Sequence, residues 1–405
     1  MRGHAFVLCT LVLLLACGGD DESSTTTSTG SGASGAAGGG GSGAAGGSGG
    51  TGGAGGTGGM GAGGSVPQNQ YLYVANRDSS DVLIYGIEDD GSLTDLGSIA
   101  VPDAGPLAVD PSREHLYVAS VIPDTVTVFD IDHATGALTP VGSAVDVGIA
   151  PVYVAVDPTD SWLFVASYGG NQVQTHAIST DGTFSAATAS EESPGTNPHA
   201  VLIHPSGDWA FVPVTNQNPS SLVAQYGFDV ATGELSPNGS ADAGAGVGPR
   251  HLVLHPSLDV VYVVNEHADS VTTWGLDTVT GTLNSLDTVT TIPGGANAGA
   301  NTCADIHVTP DGQYLYASNR GDDSIAMFSL DAATGLPTPL GHEPTETVPR
   351  EFEVTADGRY LYAAGQDSDT MASYRIEADG TLTPLTVTAV GDRPSWVLAI
   401  SVDAR

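Results

Sequence analysis

A short run of the form apolar-aromatic-apolar recurs seven times along this chain, at Leu72-Tyr73, Leu116-Tyr117, Leu163-Phe164, Ala210-Phe211, Val261-Tyr262, Leu315-Tyr316 and Leu361-Tyr362, with 44 to 54 residues between copies. Self-similarity at that period marks a repeat architecture. A second alternating run follows each copy, as in Val82-Leu83-Ile84-Tyr85, and then a turn glycine at 91, 136, 182, 233, 281, 335 or 380. Asp-Gly and Thr-Gly between apolar runs are hairpin signals. Ahead of the aromatic run stands a further apolar strand, usually opened by proline: Pro151-Val152, Pro198-His199, Pro249-Arg250, Pro349-Arg350, Pro394-Ser395. Four short antiparallel strands per repeat make a propeller blade, so the expected fold is all-β, a seven-bladed β-propeller over residues 67–405. The first aromatic strand has no inner strand before it, whereas Pro394-Ser395-Trp396-Val397-Leu398-Ala399-Ile400 has no blade after it. That orphan strand is expected to complete the first blade and close the ring. A capped solenoid would leave it unpaired.

Ahead of the repeats, residues 1–16 carry Arg2 and an apolar run from Ala5 to Leu15, the pattern of a signal peptide rather than a membrane span. Leu14-Leu15-Ala16-Cys17 resembles the bacterial lipobox, which implies lipidation of Cys17 and export to the cell envelope; plain secretion is the alternative. Gly18, where that resemblance places an aspartate in inner-membrane lipoproteins, favours the outer membrane. Residues 17–66 then form a tether of Gly, Ser, Thr and Ala, with no apolar pattern able to bury a core. Its roughly 44 flexible residues would reach about 35 to 40 Å.

All ten basic residues are arginines against 46 Asp plus Glu, and the net charge of −36 excludes nucleic acid or an anionic membrane surface as a partner. Membrane contact is expected only through the N-terminal lipid, and the domain is expected to be a monomer. With Cys9 in the signal and Cys17 acylated, Cys303 is the one remaining thiol, expected to be a small buried filler.

The start of each inner strand and the end of the aromatic strand that returns beside it should share one mouth of the ring. Four residues past each aromatic stand Arg77, Val121, Tyr168, Thr215, Glu266, Arg320 and Gln366. The inner strands begin with Gly105, Val152, His199, Arg250, Ala304, Arg350 and Ser395, followed by Pro106, Tyr153, Ala200, His251, Asp305, Glu351 and Trp396. His199, Arg250, Glu266, Arg320, Arg350 and Gln366 all fall in blades four to seven. Three scarce arginines at matched positions read as an anion site, since guanidinium forks bind carboxylate or phosphate bidentately. The bland alternative is that they pair with Asp305, Glu351 and Glu266 to tie blades together.

Gly248-Pro249-Arg250-His251-Leu252, Tyr262-Val263-Val264-Asn265-Glu266, Ala304-Asp305-Ile306-His307, Leu315-Tyr316-Ala317-Ser318-Asn319-Arg320, Pro349-Arg350 and Ala364-Gly365-Gln366-Asp367-Ser368 closely resemble the propeller-type lactonases, a family that includes bacterial 6-phosphogluconolactonases and fungal carboxymuconate lactonising enzymes. The resemblance implies a lactone hydrolase with His199, Arg250, Glu266 and Arg320 as catalytic residues. His251, His307, Asp305, Arg350, Gln366 and Tyr168 are the expected substrate-binding set, and the substrate a small anionic lactone or sugar acid. Two departures stand out. Thr215-Asn216-Gln217-Asn218-Pro219 replaces a stretch where relatives often show an acidic residue, and an export signal is at odds with a cytoplasmic sugar phosphate.

Lactone hydrolysis needs a positioned water, oxyanion stabilisation and a proton for the leaving oxygen. Arg250 and Arg320 would hold the anionic group or oxyanion, and Glu266 would orient or deprotonate the water. Neighbouring arginines weaken Glu266 as a base, which leaves His199 or His307 as proton carrier. No spacing forms a metal cage and no phosphate loop or dinucleotide fingerprint occurs, so no metal or other cofactor is expected. A non-enzymatic surface propeller binding a ligand or protein, and a lactonising cycloisomerase, remain the alternatives.

Overall fold

Seven four-stranded antiparallel sheets follow from these repeats, arranged as a seven-bladed β-propeller. The computed structural model describes residues 68–215, 221–292 and 300–403. The signal segment, Cys17, the tether and Asn216-Gln217-Asn218-Pro219 lie outside the described residues. In the aromatic strands both faces are buried, as in Val260–Asn265 and Trp162–Ser167, which suits strands sandwiched between neighbouring blades. The outer strands, such as Leu93–Ala100, are mostly exposed and carry Thr, Asp and Ser.

The C-terminal strand Pro394–Asp403 pairs antiparallel with Gln68–Asn76, with Tyr71 opposite Ile400 and Val74 opposite Val397. The orphan strand therefore closes the first blade, as its pattern requires. Apolar packing does the same work between blades. Each of seven core clusters joins the facing sheets of two neighbours, and the one holding Leu72, Val74, Tyr362, Met371 and Val397 joins blade seven to blade one. At roughly 1.5 to 3 kcal/mol per buried large apolar side chain, each seam contributes substantially.

The aromatic residue and the turn glycine of the repeat prove to be partners across blades. The hydroxyls of Tyr73, Tyr117, Tyr262, Tyr316 and Tyr362 donate to the carbonyls of Gly136, Gly182, Gly335, Gly380 and Gly91, each in the next blade around the ring. Where the aromatic is Phe164, Thr175 donates to Gly233 instead. Gly136 sits at φ 71°, and a Cβ there would meet the Tyr71 ring at 2.5 Å, so the position demands glycine twice over.

Two features of the inner strands position the site. First, the backbone N–H of the residue four beyond the aromatic donates to the carbonyl just ahead of the inner strand: Glu266 to Gly248, Arg320 to Thr302, Gln366 to Val348, Thr215 to Asn197. The two residue rings thus share one edge of the propeller. Second, a bulge interrupts the pairing between Pro249 and Leu252, between Cys303 and Ile306, and between Pro349 and Glu351. A bulge turns two consecutive side chains toward one side. Blade four keeps the same register but pairs over a shorter stretch. Its inner strand is only Leu202–Ile203, while Pro198 makes a lone bridge to Val214.

Candidate active site

Because of the bulge, Arg250 and its neighbour His251 both serve the propeller axis. Arg250 is 0% exposed. Its Nη1 donates to the Ala304 carbonyl at 2.7 Å and to His251 Nε2 at 3.2 Å, and lies 3.4 Å from Glu351 Oε1. One inner strand over, Arg320 Nη2 donates to Glu266 Oε1 at 2.5 Å and to the Cys303 carbonyl at 3.4 Å. The two guanidinium groups therefore reach consecutive carbonyls of the same strand, Cys303–Val308. The pairing weighed from sequence as the bland alternative is present: Arg250 reaches blade seven and Arg320 reaches blade five. Arg77 makes a similar tie between blades one and two, 3.0 Å from Asp103.

His199 lies beside this group. Its ring meets Tyr168 edge-on at 5.6 Å and His251 at 5.2 Å. Burial, reinforced by the charges of Arg250 and Arg350, holds its pKa well below the ordinary imidazole range, so it is neutral at physiological pH. Among the described residues, the buried nitrogens His199 Nδ1 and Arg250 Nε have no hydrogen-bond partner. Native interiors satisfy nearly all buried polar atoms, so orphans of this kind call for an explanation.

Deeper along the axis, His251 Nδ1 is 2.9 Å from Asp305 Oδ1, and His307 Nε2 is 3.0 Å from Asp305 Oδ2. Burial and Arg250 bring the His251 pKa down to about 3, so this contact is a neutral imidazole donating to a carboxylate. Burial alone would also lower His307, but Asp305, Glu353 and Glu351 outweigh it and raise it to about 9. Burial opposes ionisation of Asp305 as well; His307 and the bonds to both histidines nevertheless keep it well below the carboxylate range. Glu351 goes the other way, pushed well up by burial and by Asp305, and Glu353 rises to about 7, chiefly through burial.

One ligating atom each from His251, Asp305 and Glu351 lies within 4.8 Å of the others, close enough to face a common cation. Positive charge is already supplied there by Arg250 and by protonated His307, and burial with Asp305 raises the Glu351 pKa. The set fits a hydrogen-bonded cluster better than a metal centre.

Of the sequence-predicted residues, His199, Arg250, Glu266, Arg320 and Tyr168 gather at the expected mouth, and the Arg350 charge acts on His199 and His251. Gln366 is anchored there by its backbone bond to Val348. His251 and Asp305 sit one layer deeper. His307 lies two residues beyond Asp305 toward the strand end, as a protonated imidazole between the Asp305 and Glu353 carboxyl groups. Sequence reading passed over Glu353, which the two-residue strand period places on the same face as Glu351. Cys303 is fully buried, its thiol pushed up to about 12 by burial, in keeping with a filler.

Known proteins agree with this architecture. A profile of the family described as "Lactonase, 7-bladed beta-propeller" matches residues 61–150 and 89–399. A 6-phosphogluconolactonase of Pectobacterium carotovorum is 35% identical over 340 residues, covering 82% of this chain and 99% of the relative. One from Erwinia tasmaniensis is 33% identical over 339 residues, with the same coverage of both chains. Among solved structures, the periplasmic gluconolactonase of Pseudomonas aeruginosa superposes with a TM-score of 0.72 at 23% identity, covering 82% of this chain and 99% of that one. By sequence, by blade count and by ring closure, the chain belongs to the seven-bladed β-propeller lactonase family.

Proposed function

We propose that this protein hydrolyses a lactone bearing an anionic group, at the mouth formed by blades four to seven. The observation that carries the reading is the pair of orphaned buried nitrogens, Arg250 Nε and His199 Nδ1. Attack of water on a lactone carbonyl needs a fixed donor for the oxyanion and a neutral base for the water proton. Arg250 Nε is a donor that cannot deprotonate, and His199 is held neutral by its surroundings. Arg350 then neutralises the substrate's anionic group, while Glu266, bound to Arg320, orients the water rather than deprotonating it. The curated relatives named 6-phosphogluconolactonase support the reaction class.

Export belongs to the same reading: Cys17 carries the lipid, and residues 17–66 hold the propeller off the outer membrane. The periplasmic gluconolactonase is a protein of this fold that works outside the cytoplasm. Loss of palmitate labelling in Cys17→Ser tests the anchor.

Acid release from a panel of lactones, followed by pH-stat on the soluble domain, tests the chemistry. Arg250→Lys keeps a charge but loses the guanidinium donor, and His199→Gln removes the base; each is expected to lower turnover by about 10²- to 10³-fold. Arg77→Ala, away from the cluster, should leave turnover unchanged. No acid release from any lactone, or an equal loss in Arg77→Ala, would overturn the proposal.

A further inference from the structure

A line of hydrogen bonds leaves Arg250 and runs along the axis away from the mouth, and its direction is fixed by its first member. A guanidinium only donates, so the 3.2 Å contact makes His251 Nε2 an acceptor. Neutral His251 then carries its proton on Nδ1 and donates it to Asp305 Oδ1. Asp305 Oδ2 accepts from His307 Nε2 and, at 3.2 Å, from the Phe352 backbone N–H. His307 Nδ1 lies 3.3 Å from Glu353 Oε1, and an imidazole donates from both nitrogens only when protonated. The line thus spans blades five, six and seven and ends in a charge.

Its two ends face different surroundings. Arg250 is fully buried, whereas the His307 side chain is 27% exposed and that of Glu353 15%. Both line a cavity of about 230 Å³ along the second half of the inner strands, with Tyr153 and Trp396 among its other walls. His251, Asp305 and Glu351 line the same cavity, so the line borders it along its length and is most open to solvent at His307, on the side away from the mouth that holds His199.

We propose that His307, Asp305 and His251 are positioning residues that hold the Arg250 guanidinium in its working orientation, and that the charge on His307 governs this hold from the far end of the channel. The inference rests on the lactonase reading, in which Arg250 meets the substrate. The groups that face His307 are Asp305 on its own strand, Glu351 and Glu353 from blade seven, His251 from blade five, and Tyr153 from blade three across the cavity. Of these, the carboxyl groups favour its protonated form. Losing that proton removes a donor and a charge from Asp305. His251 is then less firmly locked in the tautomer that accepts from Arg250.

The test compares wild type, His307→Leu and His307→Gln by kcat and KM from about pH 6 to about pH 10, with imidazole ¹⁵N NMR on the same proteins. His307→Leu is expected to lower kcat by about tenfold or more with KM for a neutral lactone within about twofold, whereas His307→Gln, whose amide still donates to Asp305, recovers most of kcat. Wild-type kcat should fall as pH rises through about 9, and that limb should vanish in His307→Gln. His251 should show the Nδ1–H tautomer in wild type and a mixture in His307→Leu. An unchanged kcat in His307→Leu, an alkaline limb that survives in His307→Gln, or the opposite His251 tautomer overturns the proposal. Should His307→Leu fail to fold, the pH comparison of wild type with His307→Gln decides. Should no lactone be turned over, the lactonase reading fails on its own, and the His251 tautomer in wild type against His307→Gln and His307→Leu then judges the positioning line.

Discussion

Glu266 and Arg320 are at once expected catalytic residues and a brace between blades five and six, and a double-mutant cycle separates the two roles. Both side chains are buried, and their 2.5 Å contact is supplemented by one to the Cys303 carbonyl. Removing one partner strands the other's charge, which costs about 3 to 5 kcal/mol, whereas replacing both with apolar residues of similar size is often neutral or stabilising. For a domain of this size the single substitutions Glu266→Leu and Arg320→Met should each lower Tm by roughly 4 to 7 °C, and the double variant should return close to wild type. Catalysis should behave differently. If both groups touch substrate or the attacking water, the double variant stays about 10²- to 10³-fold slow by pH-stat despite its restored stability. A double variant that regains turnover together with Tm would reduce the pair to a brace and leave the chemistry to Arg250 and His199. Single variants with unchanged Tm would refute the brace.

Truncation before Pro394 removes Val397, Ile400 and Val402 from the closing seams, worth roughly 5 to 9 kcal/mol, so the domain should unfold or aggregate at its exposed edge; an unchanged denaturation midpoint would contradict ring closure. Cys303 should resist a disulfide reagent in the native protein and react once denatured; rapid native labelling would show an open, reactive thiol. The His307 pKa is raised above its unfolded value of about 6.5, so its stabilisation is complete below that pH and lost as pH rises through about 9. Tm should therefore decline over that window in wild type and more gently in His307→Gln, as differential scanning calorimetry would register.

The blade count, the closing strand and the turn glycines were legible because each is a local pattern: an aromatic between apolar residues, a proline-led strand, a glycine after an alternating run. The seam between Tyr73 and Gly136 was not, although both residues belong to the repeat, because nothing in a linear pattern says that a hydroxyl in one blade meets a carbonyl in the next. The site followed the same division. Register placed His199, Arg250, Glu266 and Arg320 at one mouth, since a two-residue period and an antiparallel return are enough to do so. It could not foresee that a bulge would send His251 after Arg250 into the axis, and it offered the pairing of an arginine with Glu351 only as an alternative, without saying that Arg250, 101 residues away, would make it. Nor could it show that Asp305 and Glu353 stand on either side of His307, a fact of tertiary packing alone.

An anionic substrate poses an electrostatic question for so acidic a chain, and the protons held along the axis answer it. Burial and Asp305 raise the Glu351 pKa, and Arg250, Arg320, Arg350 and protonated His307 face the anionic Asp305, Glu266 and, in part, Glu353. Near neutral pH the channel is locally positive inside a protein of net charge −36, a field that draws an anion past the acidic surface. This balance is narrow. As pH rises through about 7 Glu353 becomes fully anionic, and through about 9 His307 becomes neutral. Both changes add negative charge beneath the site. KM for an anionic lactone should therefore climb across this window, while KM for a neutral lactone of similar size stays nearly level. High salt should flatten the difference by screening. Measuring both substrates side by side over the same pH range isolates the charge term, because any general loss of activity acts on each alike. Parallel KM profiles for the two lactones would show that the channel's field does not select for charge, and the anionic class would have to be given up while the hydrolytic chemistry stands.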